Sequence, residues 1–152
     1  MKKILFVCTG NTCRSPMAEA LFRHRIGEGM EWEADSAGLY AVNGSPASTN
    51  AIQALEELGI DLTKHQSKFL DPELAEEADL IVPMTASHRF DLLQNFPEVG
   101  NRVCLIKSFG TGKVPADISD PFGGSLDIYR ETRDEIDRAI SDLVLFLRAK
   151  NR

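Results

Sequence analysis

Apolar residues gather in three tight runs along this chain: Ile4-Leu5-Phe6-Val7, Leu80-Ile81-Val82 and Val103-Cys104-Leu105-Ile106. Runs this short, without polar alternation and bounded by turn formers, read as strands buried on both faces. A further short strand is expected around Trp32 to Ser36. Between the runs the apolar spacing becomes helical. Ser15 is expected to cap a helix with Pro16 at its first position, where the missing N–H has no intrahelical partner to lose. Met17, Ala20, Leu21 and the stem of His24 line one face of it, and Gly27 and Gly29 end the run.

The next helical stripe is Ala47, Ala51, Leu55 and Leu58, stopping at Gly59. A loop carrying His65 leads to Asp71-Pro72, a cap and first-turn proline for a short helix ending near Ala78. Phe90, Leu93 and Phe96 mark another helix, closed by Pro97. The final helix runs from about Leu126 to Arg148, with Ile136, Ile140, Leu143 and Leu147 inward and Asp134 and Arg138 a turn apart on the solvent face. Strands alternating with helices predict an α/β fold: a four-stranded parallel sheet with helices on both faces, in a single domain spanning residues 1–152. Ligands of such sheets bind beyond the carboxyl ends of the strands.

Composition narrows the partners. The 152 residues are 43% hydrophobic and 26% charged, as expected of a globular chain. The net charge of −6 has no basic stripe to offset it, so nucleic acid and acidic membrane surfaces are not expected partners. A monomer is the default expectation. An anionic substrate must then be captured by a local site. Three cysteines, Cys8, Cys13 and Cys104, form an odd set that points to the reducing cytoplasm. The apolar run after Met1-Lys2-Lys3 is too short for a signal peptide, and no stretch approaches a membrane span.

Such a site is legible in Cys8-Thr9-Gly10-Asn11-Thr12-Cys13-Arg14-Ser15, which joins the first strand to the first helix. Backbone N–H groups of a strand-to-helix loop converge on one point, where the helix dipole adds about half a positive charge. Arg14 can hold two phosphate oxygens with its planar fork. The same field is expected to depress the Cys8 thiol pKa, with the Ser15 hydroxyl donating to the sulfur. A buried cysteine at a strand end is ordinarily core, and many glycine-containing turns bind nothing. The conjunction of Cys, five residues, Arg, Ser and a helix-opening Pro is what changes the reading. The Gly-Lys-Ser/Thr ending of a nucleotide-binding loop is absent. Zinc lacks a second Cys/His pair, so neither a metal nor a cofactor is expected.

The segment from Val7 through Glu19 resembles the signature of low-molecular-weight protein tyrosine phosphatases and their relatives, the bacterial protein-arginine phosphatases. The likeness extends through Ser36-Ala37-Gly38, His65 and Asp120-Pro121, and so covers essentially the whole chain. It implies Cys8 as nucleophile, Arg14 as phosphate clamp and Asp120 as general acid, with Thr9, Gly10, Asn11, Thr12, Cys13 and Ser15 completing the phosphate loop. Asp117 is the other acid of the long loop from Lys107 to Gly124; the resemblance favours Asp120 and leaves Asp117 as a solvated loop residue. It also implies that Asn11 adopts an unusual backbone conformation held by Ser15, Ser36 and His65. Cys13 matches a second loop cysteine that pairs with the nucleophile on oxidation; packing under the loop is an equal reading. Cys104 is expected in the core, and His24, His88 and Trp32 carry no signal of their own.

The substrates implied are phosphorylated proteins. Thr12 stands where many tyrosine-directed members have a larger aliphatic residue, and the Asp120-Pro121-Phe122-Gly123-Gly124-Ser125 run resembles the phosphoarginine-directed branch, so phosphoarginine is modestly favoured over phosphotyrosine. Tyr40 and Phe122, with Thr12, are expected to form the substrate rim. Two other classes compete. An arsenate reductase of similar loop needs relay cysteines, and none lies between Cys13 and Cys104. A non-catalytic phosphate-binding module would need neither Cys8 nor Asp120.

Overall fold

In the computed structural model, residues 1–27, 29–110 and 116–150 are described; positions 111–115 of the long loop, and the last two residues of the expected domain, lie outside them. The first strand, β1 (Lys2–Cys8), pairs in parallel with β2 (Trp32–Gly38) on one side and β3 (Leu80–Pro83) on the other, in the order β2-β1-β3. The most apolar segment of the chain thus takes the central position, where both edges and both faces are covered.

Alternation along β1 sends its side chains into two separate cores. Ile4, Phe6 and Cys8 join a cluster built with α1 (Arg14–Ile26), α2 (Thr49–Glu56) and α5 (Leu126–Lys150). Leu5 and Val7 join a second cluster with α3 (Pro72–Glu77) and α4 (Ala86–Asn95). Phe6 and Phe22 meet as a tilted aromatic pair with centroids 5.7 Å apart. Full burial of a side chain such as Phe6, Leu21 or Ile136 contributes roughly 1.5–3 kcal/mol.

The expected fourth strand is not formed. Val103 makes a single isolated parallel bridge to Ile81, with the Cys104 N–H donating to the Ile81 carbonyl at 3.0 Å. The segment leaves one 3₁₀ helix, Pro97–Arg102, and enters another, Ile106–Phe109, so only one pairing fits between them. Ile106 packs into the core shared with α5 instead, and Cys104 is half-buried rather than core.

Local expectations shift elsewhere. Asp71 caps α3 as predicted, accepting from the Leu74 N–H at 2.8 Å. Ser15, by contrast, lies inside α1, whose cap position is Cys13, because its hydroxyl serves the loop instead. Leu58 falls in the turn after α2 and is exposed. On α4 the buried face is His88 and Leu92, continued by Phe96, while Phe90 points to solvent. A stripe at i, i+4 and i+8 that begins with a histidine is easily misread in phase as Phe90 and Leu93. On α5 the four predicted inward residues are all buried, but Asp134 pairs with Arg133, not with Arg138.

Candidate active site

The Cys8–Ser15 loop leaves β1 at its carboxyl end and is folded by hydrogen bonds from the next strand and loop. Leu39 and Tyr40 donate their N–H groups to the carbonyls of Cys8 and Thr9 at 2.9 and 3.0 Å. Gly38 is required at this contact: a Cβ there would stand 2.6 Å from the Thr9 carbonyl oxygen and 3.0 Å from the Asn11 nitrogen. The close approach of two backbones is what the Ser-Ala-Gly ending of β2 supplies.

Asn11 is the keystone. It is fully buried with φ of 57°, the only positive-φ residue other than glycine among those described, a conformation asparagine tolerates better than most side chains. Its Oδ1 accepts from the Lys68 N–H at 2.9 Å, which orients the amide so that Nδ2 donates to both Ser15 Oγ and Ser36 Oγ, each at 2.9 Å. The Asn11 carbonyl accepts from His65 Nε2 at 2.7 Å. Asn11, Ser15, Ser36 and His65 are therefore brought together as the family resemblance implied.

Glu19 completes the chain of bonds, and sequence reading gave it no role. Its nearly buried carboxylate accepts from Ser36 Oγ at 2.6 Å and pairs with Arg23. A carboxylate can only accept, so Ser36 must donate to it and accept from Asn11. Ser15 in turn accepts from Asn11, which leaves its own proton for Cys8 Sγ, 2.8 Å away. The bonds thus diverge from Asn11, one arm ending on the Glu19 carboxylate and the other on the sulfur. The signal available was position: Glu19 follows Ser15 by one helical turn, on the same face.

Cys8 itself is buried, and burial pushes its thiol pKa up. The Ser15 hydroxyl, the N–H groups of Ser15 and Asn11, and the Arg14 charge all pull it down without offsetting the burial. The expectation of a depressed pKa took account of the donors but not of desolvation. Arg14 is also buried, its Nη1 donating to the Ile118 carbonyl at 3.0 Å and its Nη2 lying 3.7 Å from Asp120 Oδ2.

Asp120 comes from the far wall. Its side chain is 59% exposed, and its Oδ1 accepts from the Phe122 N–H at 3.0 Å in an Asx turn through Pro121. The turn closes with Gly123 at φ of 79° and Gly124 donating to the Pro121 carbonyl. Asp117, expected to be merely solvated, is exposed but employed: its Oδ1 accepts from the Ala86 N–H at 2.8 Å, tying the loop to the start of α4. The Ile118 N–H adds a bond to the Met84 carbonyl at 3.0 Å.

Together these walls enclose a cleft of about 280 Å³, floored by Cys8, Thr9, Gly10, Thr12, Cys13 and Arg14 and faced by Asp120 and Phe122. Phe122 is 79% exposed at its mouth. Tyr40 is not brought to the cleft wall, since its phenol donates to Asp91 on α4 at 3.1 Å. Cys13 lies under the loop, with Tyr129 OH 3.3 Å and Ser48 Oγ 3.5 Å from its sulfur. His88, also unread in the sequence, sets its Nε2 2.8 Å from Thr9 Oγ1. Burial and the Arg14 charge lower its pKa to about 4, against the opposing carboxylates of Asp91, Asp117 and Asp120.

A buried thiol and guanidinium around one anion-sized cleft, with a carboxyl opposite, define a phosphate-handling enzyme class. The chain belongs to the low-molecular-weight phosphotyrosine protein phosphatase family, whose model matches residues 3–152, and it is a protein phosphatase. It is 43% identical over 150 residues to the protein-arginine-phosphatase of Bacillus subtilis, a match spanning 98% of this chain and 99% of that one. Among solved structures it superposes on YwlE arginine phosphatase from Geobacillus stearothermophilus with a TM-score of 0.92, at 41% identity over 99% of this chain and 95% of that one. A YwlE mutant with a phosphorylated active-site serine in place of cysteine gives a TM-score of 0.89 at 43% identity, covering 96% and 95%.

Proposed function

We propose that the enzyme removes phosphate from phosphorylated arginine side chains of proteins through a cysteinyl-phosphate intermediate. The observation that carries the mechanism is the relay ending on Cys8 Sγ, with Arg14 beside it and Asp120 on the facing wall. The Cys8 thiolate attacks phosphorus: an S–P bond forms, the P–N bond breaks, and the departing guanidine nitrogen takes the proton of the Asp120 carboxyl. The resulting Asp120 carboxylate then takes a proton from water as its oxygen attacks phosphorus. The S–P bond breaks, inorganic phosphate leaves, and the thiolate is restored. Loop N–H groups and the Arg14 fork stabilise charge on the phosphoryl oxygens throughout. Because burial raises the thiol pKa, the active fraction rests on the donors that oppose it.

Thr12 and Phe122 support phosphoarginine. Thr12 lines the cleft with a short hydroxylic side chain, and the exposed Phe122 ring offers a face to a planar cation. Phosphotyrosine is the second reading, because the same ring accepts a phenyl group equally well. Arsenate reduction lacks the relay thiols, the three cysteines being Cys8, Cys13 and Cys104. The setting we infer is the reducing cytoplasm, with the chain acting as a monomer. Cys13 stands ready as a resolving thiol should Cys8 be oxidised.

The test is kcat/KM on matched phosphoarginine and phosphotyrosine peptides, for wild type and Thr12→Ile. Wild type is expected to prefer phosphoarginine, and the substitution to shift the ratio toward phosphotyrosine by about tenfold or more. A wild-type preference for phosphotyrosine that the substitution leaves unmoved overturns the arginine assignment.

A further inference from the structure

His88 on α4 sits 79 positions from Thr9 in sequence, yet their side chains meet at 2.8 Å. The imidazole is 5% exposed, and its Nδ1 is enclosed without a hydrogen-bond partner among the described residues. The ring is held by α4, whose cap Thr85 accepts the His88 N–H at 3.1 Å.

Burial keeps this imidazole neutral, so it carries one proton for two nitrogens. If the proton sat on Nδ1, a buried N–H would be left without an acceptor. On Nε2 it is donated to Thr9 Oγ1, and the orphan becomes a lone pair, which proteins tolerate more readily than an orphaned donor. The geometry therefore selects the Nε2–H tautomer. Thr9 lines the cleft that holds Cys8 and Arg14, and its Oγ1, accepting from His88, keeps its own proton uncommitted. We propose that His88 is a positioning residue that holds the Thr9 hydroxyl as a donor to an oxygen of the phosphoryl group bound in the cleft. The opposite tautomer would draw the hydroxyl proton to Nε2 and turn an oxygen lone pair toward the anion. A hydroxyl proton facing an oxygen that gains charge in the transition state makes a charge-assisted bond.

This inference rests on the phosphatase reading of the cleft, and the test separates the two. Long-range ¹⁵N–¹H correlation spectra of the ¹⁵N-labelled protein report the His88 tautomer directly; Nε2–H is expected, and Nδ1–H overturns the proposal. Kinetics with p-nitrophenyl phosphate follow for Thr9→Val, His88→Leu, the double variant and His88→Gln. Thr9→Val is expected to lower kcat/KM by about 10- to 100-fold. His88→Leu is expected to match it, with the double variant no worse than either and His88→Gln, which restores an N–H donor, recovering most of the loss. Full activity in Thr9→Val overturns the proposal even if His88→Leu fails to fold, as does a double variant whose losses multiply. A wild-type protein inactive on p-nitrophenyl phosphate, or Cys8→Ser that keeps turnover, strikes at the phosphatase reading instead.

Discussion

The two walls of the cleft are built by opposite means. The Cys8–Ser15 loop is buried and saturated with bonds: Asn11 alone makes four, its Oδ1, carbonyl and both Nδ2 hydrogens engaged. The Asp120 turn is exposed, anchored through Asp117 and Ile118 and held locally by an Asx turn with two glycines. One wall must present many dipoles to a single point without reorganising, which demands burial and complete hydrogen bonding. In the proposed mechanism the other delivers a proton and admits a protein side chain, for which solvent access and a locally held turn suffice.

Substitutions should separate these two strategies. Cys8→Ser is expected to abolish steady-state turnover, by about 10⁴-fold or more, while leaving the fold unchanged by circular dichroism. Asp120→Asn should cost about 10²- to 10⁴-fold in kcat on substrates with poor leaving groups, and much less with p-nitrophenol, whose departure needs no proton. Equal losses on both substrates would show that the exposed wall positions rather than protonates.

On the saturated wall the effects reach stability as well. Gly38→Ala forces a Cβ against the Thr9 carbonyl and should destabilise the protein by about 1–3 kcal/mol in urea titrations while lowering activity. Ser15→Ala removes a donor that pulls the Cys8 pKa down. The rise of kcat/KM with pH should then move to higher pH, with about tenfold loss at neutrality; an unmoved profile would dissociate the relay from the sulfur.

The smallest effect lies away from the cleft. Arg130 and Arg133 on α5 hold Glu57 at about 2, well below the usual carboxylate range. A carboxylate so depressed stabilises the fold above its unfolded pKa and loses that contribution as pH falls through the folded value. The Tm gap between wild type and Glu57→Gln should therefore hold constant from neutrality to about pH 5 and close as pH falls from about 4.5 toward about 2.

Much of this was legible along the chain because it depends on neighbours. The buried β1, the Asp71-Pro72 cap, the inward stripe of α5 and the Cys-to-Arg loop are each specified within a few residues by apolar period, turn chemistry and spacing. Likeness to a known signature then singled out Asp120 and the Asn11 supports. The failures share a cause as well. Whether Val103–Ile106 becomes a strand depends on room beside β3, and the flanking 3₁₀ helices leave space for a single bridge. The phase of α4 depends on the sheet face it covers, which buries His88 and frees Phe90.

At the site the division is equally physical. Sequence alone determined that a thiol, a guanidinium and a carboxyl would be present around a helix N-terminus. Only the tertiary structure decided the polarity of the hydrogen bonds that diverge from Asn11 toward Glu19 and toward Cys8, the upward pull of burial on the thiol and the meeting of His88 with Thr9. Hydrogen-bond polarity and desolvation arise from groups distant along the chain, and no local pattern encodes them.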